Sequence, residues 1–247
     1  MATDASDMML VMAARELKDG EVVFVGIGLP NRVCNLARAL HAPNLVLIYE
    51  SGAVGAVPTR VPPSIGDPAL VTGSLMVCSM SDIFQLFLQG GKIQVGFLGG
   101  AQVDRFGNIN TTVVGDYGRP KVRLPGSGGA CEIAIHAHRI LVTTPLGRRT
   151  FPERVDFITS PGHRMHGKPR SFFRHPGAGP VKVITDKGIL EPDAETGELI
   201  LTTVYPGVTV DEVKAGVSWP LAVREHLIVA PAPTSREKEA LTRVQAE

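Results

Sequence analysis

A glutamate, Glu50, stands directly after the apolar run Leu45–Tyr49 and before the small-residue stretch Ser51-Gly52-Ala53-Val54-Gly55. A carboxylate at a buried strand end is poorly solvated and therefore more reactive, and small neighbours leave room for a substrate. The same placement also suits a structural glutamate bonded to loop amides. A second junction, Gly26-Ile27-Gly28-Leu29-Pro30, joins an apolar run to a helix-like segment. Free N–H groups at a helix start attract anions, and bare glycine lets a phosphate or carboxylate come close. Asn31 breaks the GxGxxG pattern, so no dinucleotide signature is present, and a tight strand–helix turn explains the glycines equally well. Two further clusters are Gly99-Gly100-Ala101-Gln102-Val103-Asp104 and Gly126-Ser127-Gly128-Gly129-Ala130. The latter precedes a helix-like segment, so its amides could form an oxyanion hole, where any side chain would hold an acyl oxygen off the backbone. Ordinary glycine turns are the plain alternative. His163, Arg164, His166, Lys168 and Arg170 form a cationic loop that reads as solvated or partner-facing, with phosphate cover as the alternative. His136 and His138 have spacing that suits a strand face, with no carboxylate in register. GxSxG, HExxH and P-loop patterns are absent, and Cys34, Cys78 and Cys131 lack the spacing of a zinc site or disulfide framework.

The elements that must position these groups alternate in type. Ser6–Lys18 has helical spacing and ends at Gly20; Glu21–Ile27 reads as a buried strand; Asn31–Leu40, opened by Pro30, as a helix; Leu45–Tyr49 as a strand. That is a βαβ unit, and continuous apolar strands imply a parallel sheet covered on both faces. A helix over Ser81–Gln89, a strand over Ile93–Leu98, an edge strand over Asn108–Val114, a helix over Glu132–His138 and a strand over Arg139–Thr144 follow. Strands are expected at Val155–Ile158, Val181–Thr185 and Leu199–Val204, helices at Asp211–Val217 and Ser235–Ala246, and a loop over Ser160–Pro180. No internal boundary stands out, so residues 1–247 read as a single α/β domain with a largely parallel central sheet and helices on both faces.

The 247 residues carry 25 basic and 24 acidic side chains and are 44% hydrophobic. A net charge of +1 excludes a polyanion-binding surface as the dominant feature, so no nucleic-acid partner is expected, and the hydrophobicity excludes disorder. No apolar stretch is long enough to span a membrane, and Asp4, Asp7 and Glu16 interrupt the start where a signal peptide would be apolar; a cytoplasmic setting is expected. Gly 27 and Pro 19 imply many tight turns, and they follow no repeat.

The segments VFVGIGLPNR, NLVLIYESGAVGA, VGFLGGAQVDRFGNINTT and RPKVRLPGSGGACEIA together resemble the β subunit of family I CoA-transferases, most of all the glutaconate and 3-oxoadipate branch. The similarity runs from about Leu10 to Glu225. It implies the sugar-isomerase-like α/β fold of that family. It also implies that Glu50 is the catalytic nucleophile, that Gly26 and Gly28 belong to the CoA segment, and that Gly100, Gln102, Gly128, Gly129 and Ala130 line the thioester site. Many relatives have Asn after the glutamate, where this chain has Ser51. The resemblance further implies CoA as acyl-CoA substrate, no tightly bound cofactor, no metal, small carboxylic acids as the other substrates, and a separate α subunit giving an αβ or α2β2 enzyme. A hydrolase on the same fold and, further off, a non-catalytic binding module are the competing readings.

Overall fold

The run Val22–Phe24 (β1) is β-branched and aromatic, and it buries Val23 and Phe24 between parallel neighbours on either side. One neighbour is β2 (Val46–Ile48), in register Val22↔Val46 to Phe24↔Ile48; the other is β5 (Val95–Leu98), with Val23 opposite Val95. Two short antiparallel strands extend the β2 edge: β3 (Ala53–Val54) pairs Ile48 with Val54, and β4 (Met76–Val77) pairs Met76 with Val54. A computed structural model describes residues 5–58, 60 and 62–246 of the chain. Of the Met1–Lys18 stretch over which no signal peptide is expected, residues 1–4 lie outside the described residues. The backbone forms two compact units: one runs to Phe97 and includes His136–His138 and the stretch from Ala232, and the other comprises Leu98–Ile135 and Arg139–Pro231.

In the first unit, α1 (Ala5–Arg15) buries every residue from Met8 to Ala14, so it packs on all sides rather than along one stripe. Arg15 reaches the C-terminal helix Ser235–Ala246, where its guanidinium meets Glu237 at 2.7 and 2.9 Å. Helix α2 (Leu29–Leu40) starts at Gly28 with Pro30 in its first turn, where the missing N–H costs nothing. Helix α3 (Met80–Asp82), closed by a Ser79/Asp82 capping box, continues into a π-helical turn over Ile83–Leu88. The helix expected at Ser81–Gln89 is therefore present, but wound wider.

The second unit opens with two hairpins: β6 (Gln102–Val103) with β7 (Ile109–Asn110), and β8 (Val113–Gly115) with β9 (Pro120–Arg123). Helix α4 (Ala130–His136) follows, then β10 (Arg139–Thr143). A small hairpin of β11 (Arg164–Met165) and β12 (Lys168–Pro169) turns through His166 and Gly167, both at positive φ. Strand β13 (Pro180–Ile184) runs parallel to β10; β14 (Gly188–Pro192) and β15 (Leu199–Val204) continue antiparallel; α5 (Val210–Ala215) crosses over to β16 (Val223–Val229), parallel to β15. The α/β class matches the strand–helix alternation of the sequence, with parallel pairing of β1 to β2 and β5 in the first unit and of β10 to β13 and β15 to β16 in the second.

Four local expectations need correction. Val155–Ile158 is not a strand, because Asp156 spends its backbone N–H and a carboxylate oxygen on Gln102, at 3.0 Å each, instead of on a ladder. The strand expected over Asn108–Val114 is cut in two at Asn110, whose Oδ1 accepts the N–H groups of Thr112 and Val113. The stretch Ser160–Pro180 is built rather than irregular throughout, holding the β11–β12 hairpin and a 3-10 turn at Arg170–Phe173. Within it, His163 and Arg170 turn inward rather than to solvent: the half-buried His163 ring bonds the Pro180 carbonyl at 2.7 Å, and Arg170 is buried.

Candidate active site

Because Phe24 and Ile48 are in register, Gly26 and Glu50, each two residues past its strand, leave the same edge of the first unit's sheet. Parallel strands present their loops at one end, which is where α/β sheets bind ligands. The chain turns sharply there: the Gly52 N–H donates to the Tyr49 carbonyl at 3.0 Å and the Tyr49 N–H to the Ala53 carbonyl at 2.9 Å. Glu50 and Ser51 are the two central residues of that turn. Gly52 is held at φ +114°, and a Cβ on it would lie 2.0 Å from the Cys78 carbonyl oxygen, so only glycine closes the turn. Glu50 is half-buried, and among the described residues its carboxylate has no hydrogen-bond or ion-pair partner. The alternative of a structural glutamate tied to loop amides is not what the geometry shows.

On the same edge, Gly28 caps α2 with its backbone only, at φ +75°, with no side-chain cap. Nothing lies within 4 Å of a Cβ placed on Gly26 or Gly28, so both present open backbone. Gly28, Leu29 and Arg32 border a cavity of about 290 Å³. An uncapped helix start beside a guanidinium is a setting for an anionic group.

In the second unit the remaining predicted residues are drawn together through β7. The Ala101 N–H donates to the Asn110 carbonyl at 3.0 Å, while the Gly126 N–H donates to the Thr111 carbonyl and the Thr111 hydroxyl to the Gly126 carbonyl. Gly128 and Gly129 then lead into α4. Ser127 caps that helix, its carbonyl accepting the Ala130 N–H at 2.9 Å and its hydroxyl oxygen the Cys131 N–H. The Ala130 amide is thus already committed. Those of Gly128 and Gly129 have no protein acceptor among the described residues, and Gly128 has open space where a Cβ would be.

Gly100 and Gln102 serve the frame. A Cβ on Gly100 would fall 2.3 Å from Ile109 Cγ2, so packing against β7 alone requires glycine. The buried Gln102 amide is engaged at both ends: its oxygen accepts from Asn110 Nδ2 at 2.7 Å and from the Asp156 N–H, and its nitrogen donates to Asp156. Neither Asn110 nor Asp156 is signalled in the sequence, because their role appears only when three separate segments meet. The Asp104-to-Asn108 turn is likewise tied to distant segments, Asn108 donating to the Arg164 carbonyl at 2.9 Å and accepting the Gly162 N–H at 2.8 Å. Asp104 accepts the N–H groups of Phe106 and Asn108, and burial still pushes its carboxyl above the usual range. A cavity of about 930 Å³ beside this turn is lined by none of the predicted site residues.

Residues 6–216 match the coenzyme A transferase family model. The chain belongs to the coenzyme A transferase family. It is 51% identical to the β subunit of 3-oxoadipate CoA-transferase of Pseudomonas knackmussii, over 99% of this chain and 94% of that one. It is 36% identical to the β subunit of glutaconate CoA-transferase of Acidaminococcus fermentans, over 92% of this chain and 87% of that one. The crystal structure of glutaconate CoA-transferase from that organism superposes with a TM-score of 0.87 at 32% identity, covering 96% of this chain and 93% of that chain. The decarboxylase AibA/AibB shares the fold, with a TM-score of 0.83 at 24% identity over 98% of this chain and 94% of that chain. Within the first unit the Glu50 carboxylate has no partner among the described residues and Gly26 and Gly28 present open backbone; within the second, Gly128 does the same, while Gly100, Gln102 and Ala130 are committed to packing and hydrogen bonds.

Proposed function

We propose that this chain is the β subunit of a CoA-transferase that moves CoA between an acyl-CoA, succinyl-CoA foremost, and a dicarboxylic or oxo acid such as 3-oxoadipate, through a glutamyl-CoA thioester on Glu50. The observation that carries this reading is the Glu50 carboxylate, at the tip of the Tyr49–Gly52 turn with no partner among the described residues. Both units together act as one β-subunit domain, completed by a separate α subunit in an αβ or α2β2 enzyme.

Glu50 attacks the thioester carbonyl of the donor, expelling CoA thiolate and leaving an acyl-glutamyl anhydride. The thiolate attacks the glutamyl carbonyl, which releases the donor acid and leaves CoA joined to Glu50. The acceptor carboxylate then attacks this thioester, and the freed thiolate attacks the acyl carbonyl of the new anhydride. The products are a new acyl-CoA and the Glu50 carboxylate. Each step passes through an oxyanion, and a backbone N–H that donates to it is worth roughly 3–4 kcal/mol. The Gly28 helix start and Arg32 would receive an anionic part of CoA. Water has to be excluded, because the anhydride hydrolyses readily.

Three free cysteines fit a reducing cytoplasm. Among the described residues, no helix is long and apolar enough to cross a membrane. The test is mass spectrometry of the complex incubated with succinyl-CoA: a CoA adduct on the peptide containing Glu50 supports the reading. Full activity in Glu50→Ala, with no adduct in the wild type, would sink it. Glu50→Asp should also be inactive, since an arm one methylene shorter misplaces the nucleophile. Because Glu50 is half-open to solvent, acyl-CoA hydrolysis is the second reading; it predicts CoA release with no acceptor acid present.

A further inference from the structure

Beneath the Glu50 turn lies a buried polar cluster for which the acyl-transfer steps have no use. Helix α2 presents Asn31, Asn35 and Arg38 roughly one turn apart. The Asn35 amide donates to Asn31 Oδ1 at 3.2 Å, and Asn31 Nδ2 donates to the Tyr49 hydroxyl. Asn31 and Tyr49 have no solvent exposure at all. Arg38 donates to the carbonyls of Leu45 at 2.9 Å and Ala56 at 3.1 Å, bracketing the segment that contains Glu50. Tyr49 is the first residue of the turn, and both its backbone polar groups close it. Its side chain therefore ties the turn to the core.

A phenylalanine would fill the same space without carrying a polar group into the core. A buried hydroxyl–amide bond adds direction: it fixes where the end of the Tyr49 side chain sits and, through that side chain, the peptide that precedes Glu50. Burial keeps the phenol protonated, well above its ordinary titration range, so the bond is pH-independent across the working range. Asn31 lies three residues past Gly28, so the same bond also sets the spacing between the Gly28 helix start and Glu50. We propose that Asn31 and Tyr49 are positioning residues for Glu50, their buried hydrogen bond holding the turn so that the carboxylate projects from it in one direction. This rests on the glutamyl-CoA reading.

The experiment uses the complex with its α subunit, and succinyl-CoA as probe. It measures the rate of CoA attachment at Glu50 by rapid-quench mass spectrometry, together with steady-state kcat and KM. Tyr49→Phe keeps the packing and removes only the hydroxyl; Asn31→Leu removes the amide at similar volume. Each is expected to slow labelling and kcat about 10–100-fold, the size of effect a small misplacement of a reacting group produces. KM for acyl-CoA should stay within about twofold, and the Tm of Tyr49→Phe within roughly 4 °C of wild type. The double variant should be no slower than the slower single variant, because both act through one bond. Wild-type labelling rates in Tyr49→Phe, a loss confined to KM, or effects that multiply in the double variant would overturn the positioning role and leave the Glu50 reading standing. Absence of any label at Glu50 in the wild type would overturn that reading, and this one with it.

Discussion

Arg170 offers the sharpest test of what holds the second unit together. Its guanidinium has only backbone carbonyls for partners. Nε donates to Gly177 at 2.8 Å, Nη1 to Pro161 at 3.2 Å and Gly162 at 3.3 Å, and Nη2 to Ala134 at 2.6 Å and Ile135 at 3.5 Å. Two of these carbonyls end α4, where a cation also meets the negative end of the helix dipole. Burial without a carboxylate partner lowers the guanidinium pKa to about 10, which still leaves it charged at neutral pH. A charge-assisted hydrogen bond is worth about 1.5–3 kcal/mol net, but burying the cation offsets much of the gain. Removing the group is costly for another reason: it strands carbonyls at about 1–3 kcal/mol each. Counting only the three contacts at 3.2 Å or less, Arg170→Met should destabilise the chain by roughly 3–5 kcal/mol. For a chain of this length that is a fall in Tm of about 6–20 °C. Arg170→Lys should lose roughly half as much, because three donors on one atom cannot span acceptors from three segments. Thermal and urea unfolding, followed by circular dichroism, measure both. If Arg170→Met melts within about 2 °C of wild type, water replaces the guanidinium without loss, and the clamp is not what orders the 160–180 stretch.

Two further outcomes are expected. Gly52→Ala places a methyl 2.0 Å from the Cys78 carbonyl oxygen at a φ of +114°, so it should cost at least about 3 kcal/mol in thermal unfolding and abolish CoA labelling at Glu50; a Tm unchanged within about 2 °C would contradict the turn geometry. Glu237 is held down to about 2 from the usual 4.5, first by Arg15, so its contribution is complete above about pH 5 and fades as pH falls toward 2. Glu237→Gln should remove about 2 kcal/mol of stability at pH 7 and flatten the acid limb between about pH 4.5 and 2, as read from urea midpoints; an acid limb parallel to wild type would refute it.

The candidate nucleophile was legible in the sequence because it sits where two local patterns meet, an apolar strand and a small-residue turn. The Gly26–Pro30 junction was legible for the same reason, since glycine and proline act within a few residues of themselves. Gly100 and Gln102 stand out in the sequence as part of a glycine cluster, but what they do depends on Ile109, Asn110 and Asp156, which no local pattern links to them. The strand β14 was overlooked because Gly188 and Pro192 bound it, although Gly188 is needed there: a Cβ would lie 2.4 Å from the Thr203 carbonyl. The cationic loop misled for a related reason. Arg170 looks like any surface arginine until the carbonyls of α4 and the 160–180 stretch are brought around it.

The sequence alone determined the α/β class and the opening strand–helix–strand succession, and it marked Glu50 as a candidate, because each follows from periodicity and residue chemistry over short spans. Tertiary structure decided which polar side chains are free and which are spent. Glu50 has no partner among the described residues, Gln102 is bonded through both its amide oxygen and its nitrogen, the Arg170 guanidinium is bonded through all three nitrogens, and Asn31 is joined to Tyr49. A hydrogen bond depends on where two groups lie in space, and the partners of Gln102 and Arg170 lie 7 to 54 positions away along the chain.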